Sequence, residues 1–211
     1  MIRVLIVDDH TIVRDGLKQI LDETSDIVVA AEAQNGHEAI GKVREDGYDV
    51  VLLDVAMPGL DGLSVMSVLK REKPSVAVLI LSMYPEQQYA IRFLKAGAAG
   101  YLTKESASDE LIQAIRRVAQ GGTYVTRSLA EKLASSLASP ADEQPHETLS
   151  NREYQVMRLI ASGKTVSQIA TELSLSVKTV STYRARILEK LKLSNNADIM
   201  RYAIGQGWEQ V

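Results

Sequence analysis

The stretch VVLLDVAMPGLDG, residues 50–62, places one carboxylate, Asp54, at the end of an apolar run and just before a Pro-Gly break. Four consecutive apolar residues are typical of a strand that is covered on both faces. The Pro58-Gly59 pair predicts a sharp turn a few residues later. The sequence therefore predicts a buried strand that presents a single acid at the edge of a sheet.

The same kind of strand recurs along roughly the first 121 residues. Apolar runs occupy residues 2–7, 27–31, 50–53, 76–81 and 99–102. Between them, apolar residues recur at spacings of three and four, as they do on amphipathic helices. Near-continuous apolar strands favour a parallel sheet with helices on both faces. We therefore expect a doubly wound, flavodoxin-like α/β domain with five parallel strands in the order 2-1-3-4-5.

The composition limits the class of protein. With 211 residues the chain is long enough for two ordinary domains. The sequence contains no cysteine, which excludes disulfides, thiolate metal sites and a cysteine nucleophile. It opens on a strand-like stretch without a leader pattern, and no apolar run approaches the roughly 18 residues of a membrane span. These features predict a cytoplasmic protein with no membrane partner.

The charge is distributed unevenly. Residues 1–147 carry 15 Lys+Arg and 22 Asp+Glu, a net −7, whereas residues 148–211 carry 9 and 5, a net +4. The two values add up to the −3 of the whole chain. A basic segment joined to an acidic one suggests an anionic partner for the second part, with nucleic acid as the first candidate.

These patterns divide the chain into three parts. We assign residues 1–121 to the α/β domain, residues 122–147, rich in Pro, Ser and acids, to a linker, and residues 148–211 to an all-α domain. The third part shows helical periodicity alone. Ser150 with Glu153 three residues later predicts a capping box at its first long helix.

Polar side chains follow four of the predicted strands. Asp8 and Asp9 end the first strand, Asp54 ends the third, Ser82 follows the fourth and Lys104 follows the fifth. The first and third strands are neighbours where the winding reverses, and open α/β sheets bind ligands there. Three carboxylates that converge at this point repel one another unless a cation joins them. A hard divalent ion, Mg²⁺, is the expected cofactor, while the scattered His10, His37 and His146 are not expected to form a metal set.

Four motifs carry a resemblance over about residues 1–121. They are VLIVDDH at 4–10, VLLDVAMPGLDG at 51–62, LILS at 79–82 and AGYLTKE at 99–105. Together they resemble the receiver domain of bacterial two-component response regulators. The resemblance implies that a sensor histidine kinase phosphorylates Asp54, that Lys104 contacts the phosphoryl group, and that Ser82 and Tyr101 are switch residues. The Mg²⁺ ligands that it implies are the carboxylates of Asp8, Asp9 and Asp54 and the backbone carbonyl of Ala56.

A second resemblance covers most of residues 149–204. The stretch LSNREYQVMRLIASGKTVSQIATELSLSVKTVSTYRARILEKLKLS, residues 149–194, resembles the helix-turn-helix domain of the LuxR or NarL/FixJ type. It implies that residues 177–191 form a recognition helix for the major groove of promoter DNA. The candidate DNA contacts are Lys178, Thr179, Ser181, Thr182, Arg184, Arg186 and Lys190.

The recognition helix also has a predicted cap and inner face. Ser176 is expected to cap its amino end. The residues expected on the inner face are Val177, Val180, Ile187, Leu188 and Leu191.

Two departures from the family pattern limit the transfer of its DNA contacts. Residues 165–168 lack a lysine that many members use to grip phosphate, and residues 181–183 read STY where many members read KNH.

We therefore predict a transcription regulator that is controlled by phosphorylation and is not an enzyme. A short helix-turn-helix reads few base pairs, so a homodimer on paired half-sites is expected in the active state. In the family, the last helix often supplies the contact between DNA-bound copies. The candidates on that helix are Ile199, Tyr202 and Ala203.

Two alternatives stay open at this stage. A phosphohydrolase of the haloacid dehalogenase type also uses an Asp at a strand end with Mg²⁺. It needs a second acid two residues after the nucleophile, where this chain has Ala56 after Asp54 and His10 after Asp8. In the other alternative the DNA-binding role is kept, but the receiver is constitutive or driven by protein contact.

Overall fold

A computed structural model describes residues 1–57, 60, 62–84, 86–106, 108–127, 129–131, 145–206 and 208. The chain divides into two compact units, Met1–Ser139 and Pro140–Val211. The domain boundaries placed at 121 and 148 remain predictions. Half of the predicted linker, residues 132–144, lies outside the described residues.

Strands and helices alternate along the first unit. They are β1 Ile2–Val7, α1 Thr11–Asp22, β2 Ile27–Ala33, α2 Gly36–Glu45, β3 Val50–Asp54, α3 Gly62–Glu72, β4 Ala77–Ser82, α4 Glu86–Lys95, β5 Gly100–Thr103 and α5 Ser108–Ala119. The strands form one parallel sheet in the order β2-β1-β3-β4-β5. The predicted fold class and strand order are confirmed.

The core of the first unit follows from the alternation of side chains along buried strands. Val4 and Ile6 of β1 join one apolar cluster with Leu17 of α1 and Ile115 of α5. Leu5, which points to the other face of the sheet, is fully buried as well. Burial on both faces explains why these strands read as continuous apolar runs rather than as alternating ones.

Two strands continue beyond their apolar runs into polar residues. Asp54 pairs with Leu81, and Ser82 pairs with Thr103, so the parallel ladder includes both polar positions. Both side chains are buried. The sheet therefore holds the backbone of Asp54 and of Ser82.

The chain that follows α5 packs back onto the sheet. The Tyr124 N–H donates to the Ala99 carbonyl at 2.8 Å, and Tyr124 forms an isolated parallel bridge with Gly100. A Cβ on Gly100 would lie 2.7 Å from the Tyr124 carbonyl oxygen, so the close approach requires glycine. Leu129 is 1% exposed. The part of the predicted linker nearest α5 therefore contributes to the first unit.

The second unit is helical in its described residues. It contains a short 3-10 helix, Pro145–Thr148, followed by α6 Asn151–Ala161, α7 Val166–Glu172, α8 Val177–Leu191 and α9 Asn196–Gly205. The predicted capping box of Ser150 and Glu153 is confirmed, and so is the Ser176 cap, whose hydroxyl accepts from the Thr179 N–H. Within the described residues, no helix combines the length and hydropathy that a membrane span requires.

The inner face of α8 differs from the prediction at one end. Val180 and Ile187 are fully buried, and Leu191 is 9% exposed. Val177 is 51% exposed, so its assignment to the inner face was wrong. It is the first residue of the helix, and burial along α8 begins only one turn later, at Val180. Helical spacing identifies a face, but it does not show where along the axis that face meets its neighbours.

Candidate functional site

The carboxyl ends of β1 and β3 bring three acids together. Asp8, Asp9, His10 and Asp54 each offer one potential ligand atom, and these atoms all lie within 4.8 Å of one another. Asp8 and Asp54 are each 2% exposed, although Asp9 is only half-buried. Pairing between β1 and β3 runs from Val4 and Val50 up to Val7 and Leu53, and it sets the two strand ends side by side. The structure thus places the predicted acids at one edge of the sheet.

A buried lysine joins this acid cluster from the end of β5. Lys104 Nζ lies 2.6 Å from Asp8 Oδ2 and 3.2 Å from Asp54 Oδ2, and its side chain is 7% exposed. The Lys104 backbone N–H donates to the Ser82 carbonyl at 2.8 Å, which fixes the chain at this point. One cation is therefore shared between two buried carboxylates from different strands.

The ionised form of Asp54 is held at a cost in free energy. Burial raises the pKa of Asp54 above its ordinary value, the Lys104 ammonium opposes that rise, and the nearby Asp8 charge adds to it. Asp54 Oδ1 accepts a hydrogen bond from the Ala56 N–H at 3.3 Å. Asp54 Oδ2 accepts no hydrogen bond from the described residues, although Lys104 Nζ lies 3.2 Å from it. A further positive charge at this position would stabilise the carboxylate.

The cluster fits a hard divalent cation. Asp9 Oδ1 and Asp54 Oδ2 are both buried, and neither accepts a hydrogen bond in the part of the chain that the structure describes. A set of carboxylate oxygens in which some lack donors is the chemistry that Mg²⁺ prefers. For Ala56, the structure records the N–H contact with Asp54 described above.

His10 lies beside the acid cluster. Its Nδ1 lies 3.1 Å from Asp8 Oδ1 and 3.0 Å from Asp9 Oδ1. The expectation that His10, His37 and His146 do not form a metal set together stays a prediction. The His10 N–H donates to Asp8 Oδ1 at 2.8 Å, and this tight turn brings the ring back over the acids. Its position directly after Asp8-Asp9 was the available signal.

The start of α3 packs directly against the end of β3. A Cβ on Gly62 would lie 2.8 Å from the Val55 Cα and 3.1 Å from the Asp54 carbonyl oxygen. Only a residue without a side chain permits this approach, so the glycine sets how close α3 comes to Asp54. The sharp turn predicted at Pro58-Gly59 lies outside the described residues.

The two predicted switch residues are connected through one backbone segment. Ser82 Oγ accepts from the Tyr84 N–H at 3.1 Å, and the Tyr101 hydroxyl donates to the Tyr84 carbonyl at 2.8 Å. Both Ser82 and Tyr101 are fully buried. Burial raises the pKa of the Tyr101 hydroxyl well above its usual range, with a partial offset from Ser82. The structure holds the Tyr101 ring in the inward orientation.

In the second unit, α7 and α8 are joined by a tight turn. Ser174 in that turn has a φ of 53°, and the Leu175 N–H donates to the Ala170 carbonyl at 2.8 Å. Two short helices joined in this way are typical of a helix-turn-helix. On α8 the exposed polar residues are Lys178, Ser181, Thr182, Arg186, Glu189 and Lys190.

Comparison with known proteins assigns both units to families. Residues 4–116 match the response regulator receiver domain, and residues 147–203 match the bacterial regulatory proteins of the luxR family. The chain is a response regulator. The family predicted from the sequence, with its receiver and LuxR-type helix-turn-helix domains, is thereby confirmed.

Similar proteins match over nearly the full length of this response regulator. Response regulator GacA of Pseudomonas protegens is 40% identical over 207 residues, covering 98% of this chain and 97% of GacA. Response regulator UvrY of Escherichia coli K12 is 38% identical over 208 residues, covering 98% and 95%. Among solved structures, RcsB of Salmonella enterica serovar Typhimurium bound to promoter rprA with phosphomimetic BeF₃⁻ is 26% identical, with a TM-score of 0.62 and coverage of 95% and 97%.

Four predicted DNA contacts of this response regulator take part in bonds within its own domain, and one of them, Thr182, donates its hydroxyl to the Lys178 carbonyl at 3.0 Å. Arg184 Nε donates to Asn196 Oδ1 of α9 at 2.5 Å. Lys190 Nζ lies 2.6 Å from Glu153 Oε2 and donates to the Thr148 carbonyl at 3.3 Å. The Thr179 hydroxyl lies 2.7 Å from Ser176 Oγ, in the helix cap. Of these four residues, Arg184 and Lys190 bond to other elements of the domain, whereas Thr179 and Thr182 bond within α8 and its cap.

The Lys190–Glu153 pair ties α8 to the capping box of α6. The Glu153 side chain is 3% exposed, whereas that of Lys190 is 39% exposed. Burial alone would raise the pKa of Glu153, but Lys190 and the Ser150 N–H outweigh that effect and hold the pKa below its ordinary 4.5. The ionised Glu153 therefore contributes stability to the fold, and that contribution depends on pH.

We expect Lys190→Met to lower the free energy of unfolding at pH 7 by about 1–2 kcal/mol, because Glu153 would stay buried without its cation. Without Lys190 the pKa of Glu153 should rise, because burial is then opposed only by Ser150. The difference from wild type should therefore be complete only above that raised pKa and vanish as the pH falls through the lowered pKa of the wild-type Glu153. Urea unfolding at several pH values measures both effects.

Lys164→Met is the matched control for this prediction. Its Nζ lies 2.5 Å from Glu172 Oε2, but both side chains are exposed, at 38% and 44%. An exposed pair contributes about 0–1 kcal/mol. Equal losses in the two variants, or a Lys190→Met loss that does not change with pH, would contradict the role of burial.

The burial of residues on α9 contradicts two of the three predicted dimer contacts. Ile199 is fully buried and Ala203 is 3% exposed, so both pack inside the domain and cannot meet a second copy. The Tyr202 hydroxyl lies 2.9 Å from His146 Nδ1 of the 3-10 helix. Ile204 is 65% exposed. Ile199 and Ala203 therefore belong to the inner face of α9 and not to a dimer face.

Proposed function

We propose that this response regulator controls transcription through phosphorylation of Asp54 by a sensor histidine kinase. The observation that carries the proposal is the buried Asp54 carboxylate, which shares Lys104 with Asp8 and keeps one oxygen without a hydrogen bond in the described residues. Such a carboxylate is a competent nucleophile toward phosphorus when its charge is compensated. We expect the protein to act in the cytoplasm, on double-stranded promoter DNA.

Mg²⁺ would be held by Asp8, Asp9, Asp54 and the Ala56 carbonyl, and it would neutralise charge on the phosphoryl oxygens. The side chains perform the remaining steps. Asp54 attacks the phosphorus of the donor, a bond forms between its carboxylate oxygen and phosphorus, and the bond to the leaving group breaks with its electron pair. The product is an acyl phosphate on Asp54.

Lys104 is positioned to respond to the new charge. Its ammonium already lies between Asp8 and Asp54, so it can pair with the phosphoryl oxygens without a large movement. The Ser82 hydroxyl at the next strand end can donate to the same group. When the Ser82 side chain turns toward the phosphoryl group, it would release the Tyr84 N–H, which now donates to the Ser82 hydroxyl. The carbonyl of the same Tyr84 accepts from the Tyr101 hydroxyl. The phosphoryl group would thus shift the population between two packings of this segment.

The chain lacks a feature that an enzyme of the alternative class would need. Ala56 stands two residues after Asp54, where a haloacid dehalogenase type enzyme places its second acid. Without a general acid at that position, the acyl phosphate is a stored signal and not a turnover intermediate. We therefore propose that this response regulator catalyses no reaction on a separate substrate.

The proposed DNA interface is α8. Its exposed Lys178, Ser181, Thr182 and Arg186 would face the major groove, with Arg184 at the edge toward α9. We assign Lys190 and Thr179 to holding the helix in place, because Lys190 pairs with the buried Glu153 of α6 and Thr179 belongs to the cap at the start of α8. RcsB, which was solved on promoter DNA with a phosphomimetic, supports this role by similarity.

The proposed active state is a homodimer on DNA, and the exposed side of α9 offers a contact for it. Ala197, Arg201 and Ile204 lie on that side at helical spacing, and all three are exposed. We expect Ile204→Glu to reduce the cooperativity of binding to a paired site about tenfold, without weakening binding to a single half-site. Gel-shift titration on both DNAs measures this, with Glu189→Gln on exposed α8 surface as the control. A variant that binds paired sites as cooperatively as wild type would exclude this face.

The experiment for the function as a whole compares the protein before and after phosphorylation. Duplexes selected from a random-sequence library with acetyl-phosphate-treated protein supply the DNA. Binding is then measured by fluorescence anisotropy, with intact-protein mass recorded on the same samples. One phosphoryl adduct together with tighter binding is the expected result. An adduct that leaves binding unchanged would favour a receiver that acts by protein contact.

Mg²⁺ should stabilise the folded protein through the acid cluster. At a hundred times its Kd, Mg²⁺ should add about 2.7 kcal/mol to the free energy of unfolding. We expect Asp8→Asn to lose most of this effect, because one ligand and one charge are removed. Asp49→Asn, an exposed acid at the opposite end of β3, should keep it. Thermal unfolding with and without Mg²⁺ provides the measurement, and equal stabilisation of both variants would place the ion elsewhere.

A further inference from the structure

Arg14 of α1 is a buried cation that the phosphorylation chemistry does not use. Its side chain is only 5% exposed. A buried guanidinium is tolerated when its N–H groups find acceptors, and the position of those acceptors indicates what it holds. Arg14 Nη1 donates to the Asp8 backbone carbonyl at 2.8 Å, Nε donates to Glu32 Oε2 at 3.0 Å, and Nη2 donates to Thr11 Oγ1 at 3.3 Å.

These bonds fix the peptide between Asp8 and Asp9, the two acids that follow β1. The Asp8 N–H donates to the Ala33 carbonyl of β2 at 3.1 Å, and the Asp8 carbonyl accepts from Arg14. A peptide unit is planar, so the direction of the Asp8 carbonyl also sets where the Asp9 nitrogen and Cα lie. Arg14 therefore acts on the path of the chain at the point where it leaves the sheet.

The support for Arg14 extends away from the acid cluster. Glu32 of β2, which accepts from Arg14, also lies 2.8 Å from Lys18 Nζ. The Glu32 backbone is paired with β1 at Ile6, and the Glu32 carbonyl accepts from Lys42 Nζ. The guanidinium is thus held by an acid that is itself fixed in the sheet, which makes it a rigid support for the Asp8 carbonyl.

We propose that Arg14 is a positioning residue that holds the Asp8-Asp9 peptide so that both carboxylates face Asp54 before any cation binds. The inference rests on the proposed function, because it gives these acids their role as Mg²⁺ ligands. Arg14 itself contacts neither Asp54 nor a carboxylate of Asp8 or Asp9 in the described contacts. Its effect would pass entirely through the backbone.

The direction in which the affinity for Mg²⁺ changes distinguishes a positioning role of Arg14 from a purely electrostatic one. Removing a positive charge close to the acids should by itself tighten the binding of a dication. Loss of positioning should instead weaken it, since partners that orient metal ligands are worth about 10–100-fold in affinity. Arg14→Met is therefore expected to raise the Kd for Mg²⁺ about tenfold, in the opposite direction to the Coulomb effect.

Lys18→Met is the matched control. Lys18 lies one turn further along α1, carries the same charge and contacts the same Glu32 carboxylate. Its other recorded partner is Asp15, at 2.7 Å, and no contact with Asp8 is among those the structure describes. This variant removes charge and part of the Glu32 network but leaves the Asp8 carbonyl bonded. Its Kd for Mg²⁺ should equal that of wild type or be slightly lower.

Two measurements on the full-length protein test the proposal. Calorimetric titration with Mg²⁺ gives the Kd, and hydrogen exchange of metal-free protein, read by mass spectrometry over residues 8–13, reports the order of the segment itself. We expect Arg14→Met to weaken Mg²⁺ binding and to speed exchange over that segment, whereas Lys18→Met does neither. Arg14→Lys, which can still donate one hydrogen bond to the Asp8 carbonyl, should recover part of both effects.

Each outcome decides the question. Unchanged or tighter Mg²⁺ binding by a folded Arg14→Met with normal exchange would overturn the proposal and leave Arg14 as a packing residue. If Arg14→Met does not fold, the comparison of Arg14→Lys with Lys18→Met takes its place. A wild-type protein that binds no Mg²⁺ would overturn the proposed function instead, and the exchange rates would then decide the role of Arg14.

Discussion

Asp54→Asn should abolish phosphorylation, with a loss of at least about a hundredfold in the rate of incorporation from acetyl phosphate. The amide is nearly the same size as the carboxylate but is a far weaker nucleophile, and it carries no charge to bind a cation. The folded state should survive, because burial raises the pKa of Asp54 and its charge is already a cost in free energy. Intact-protein mass after incubation with acetyl phosphate and Mg²⁺ measures the adduct.

The control for Asp54→Asn is Asp49→Asn. Both acids belong to the same stretch of chain around β3, but Asp49 is exposed and accepts from the Arg3 N–H at 2.7 Å, away from the acid cluster. We expect Asp49→Asn to gain a phosphoryl group at the wild-type rate. An adduct on Asp54→Asn at that rate would assign the phosphoryl group to another side chain. A second arm without Mg²⁺ should give no adduct on either protein.

Removing the two exposed cations of α8 that we assign to DNA, in the double variant Lys178→Ala/Arg186→Ala, should weaken DNA binding about a hundredfold. Each residue lost from a base or phosphate contact costs roughly 1–3 kcal/mol, and each lost phosphate contact lowers the slope of log affinity against log salt by about one. Fluorescence anisotropy at several salt concentrations gives both quantities. The salt slope distinguishes contacts with phosphate from contacts with bases.

The double variant Arg71→Ala/Lys73→Ala is its charge-matched control. Both residues are exposed at the end of α3, in the first unit, and their removal changes the net charge by the same amount. We expect this control to bind DNA with the affinity and salt slope of wild type. If both double variants lost affinity equally, the effect would come from net charge and α8 would not be the specific interface.

Much of the fold and of the acid cluster could be predicted from the sequence, because both depend on local patterns. Continuous apolar runs mark strands buried on both faces, and each ends in a polar residue at the same edge of the sheet. From these runs alone, Asp8, Asp9, Asp54, Ser82 and Lys104 could be placed together. The helix caps at Ser150 and Ser176 could also be predicted from the sequence, because a cap depends on residues three positions apart.

The errors concern how residues pack inside the second unit. Val177 was placed on an inner face by helical spacing, whereas Ile199 and Ala203 were chosen because the last helix often supplies the dimer contact in the family. Neither argument shows which side chains meet another helix of the same domain. These assignments depend on how elements pack, which is not encoded in any short window of residues.

The sequence by itself determined the fold class, the strand order, the family and the acids that meet at the sheet edge, since each follows from periodicity or from short motifs. Only the tertiary structure showed that Arg14 holds the Asp8 carbonyl, that Lys104 is shared between Asp8 and Asp54, and that Lys190 pairs with Glu153. In every one of these contacts a long side chain spans two elements. The partner it reaches depends on the packing of both, so the contact exists only once the chain has folded.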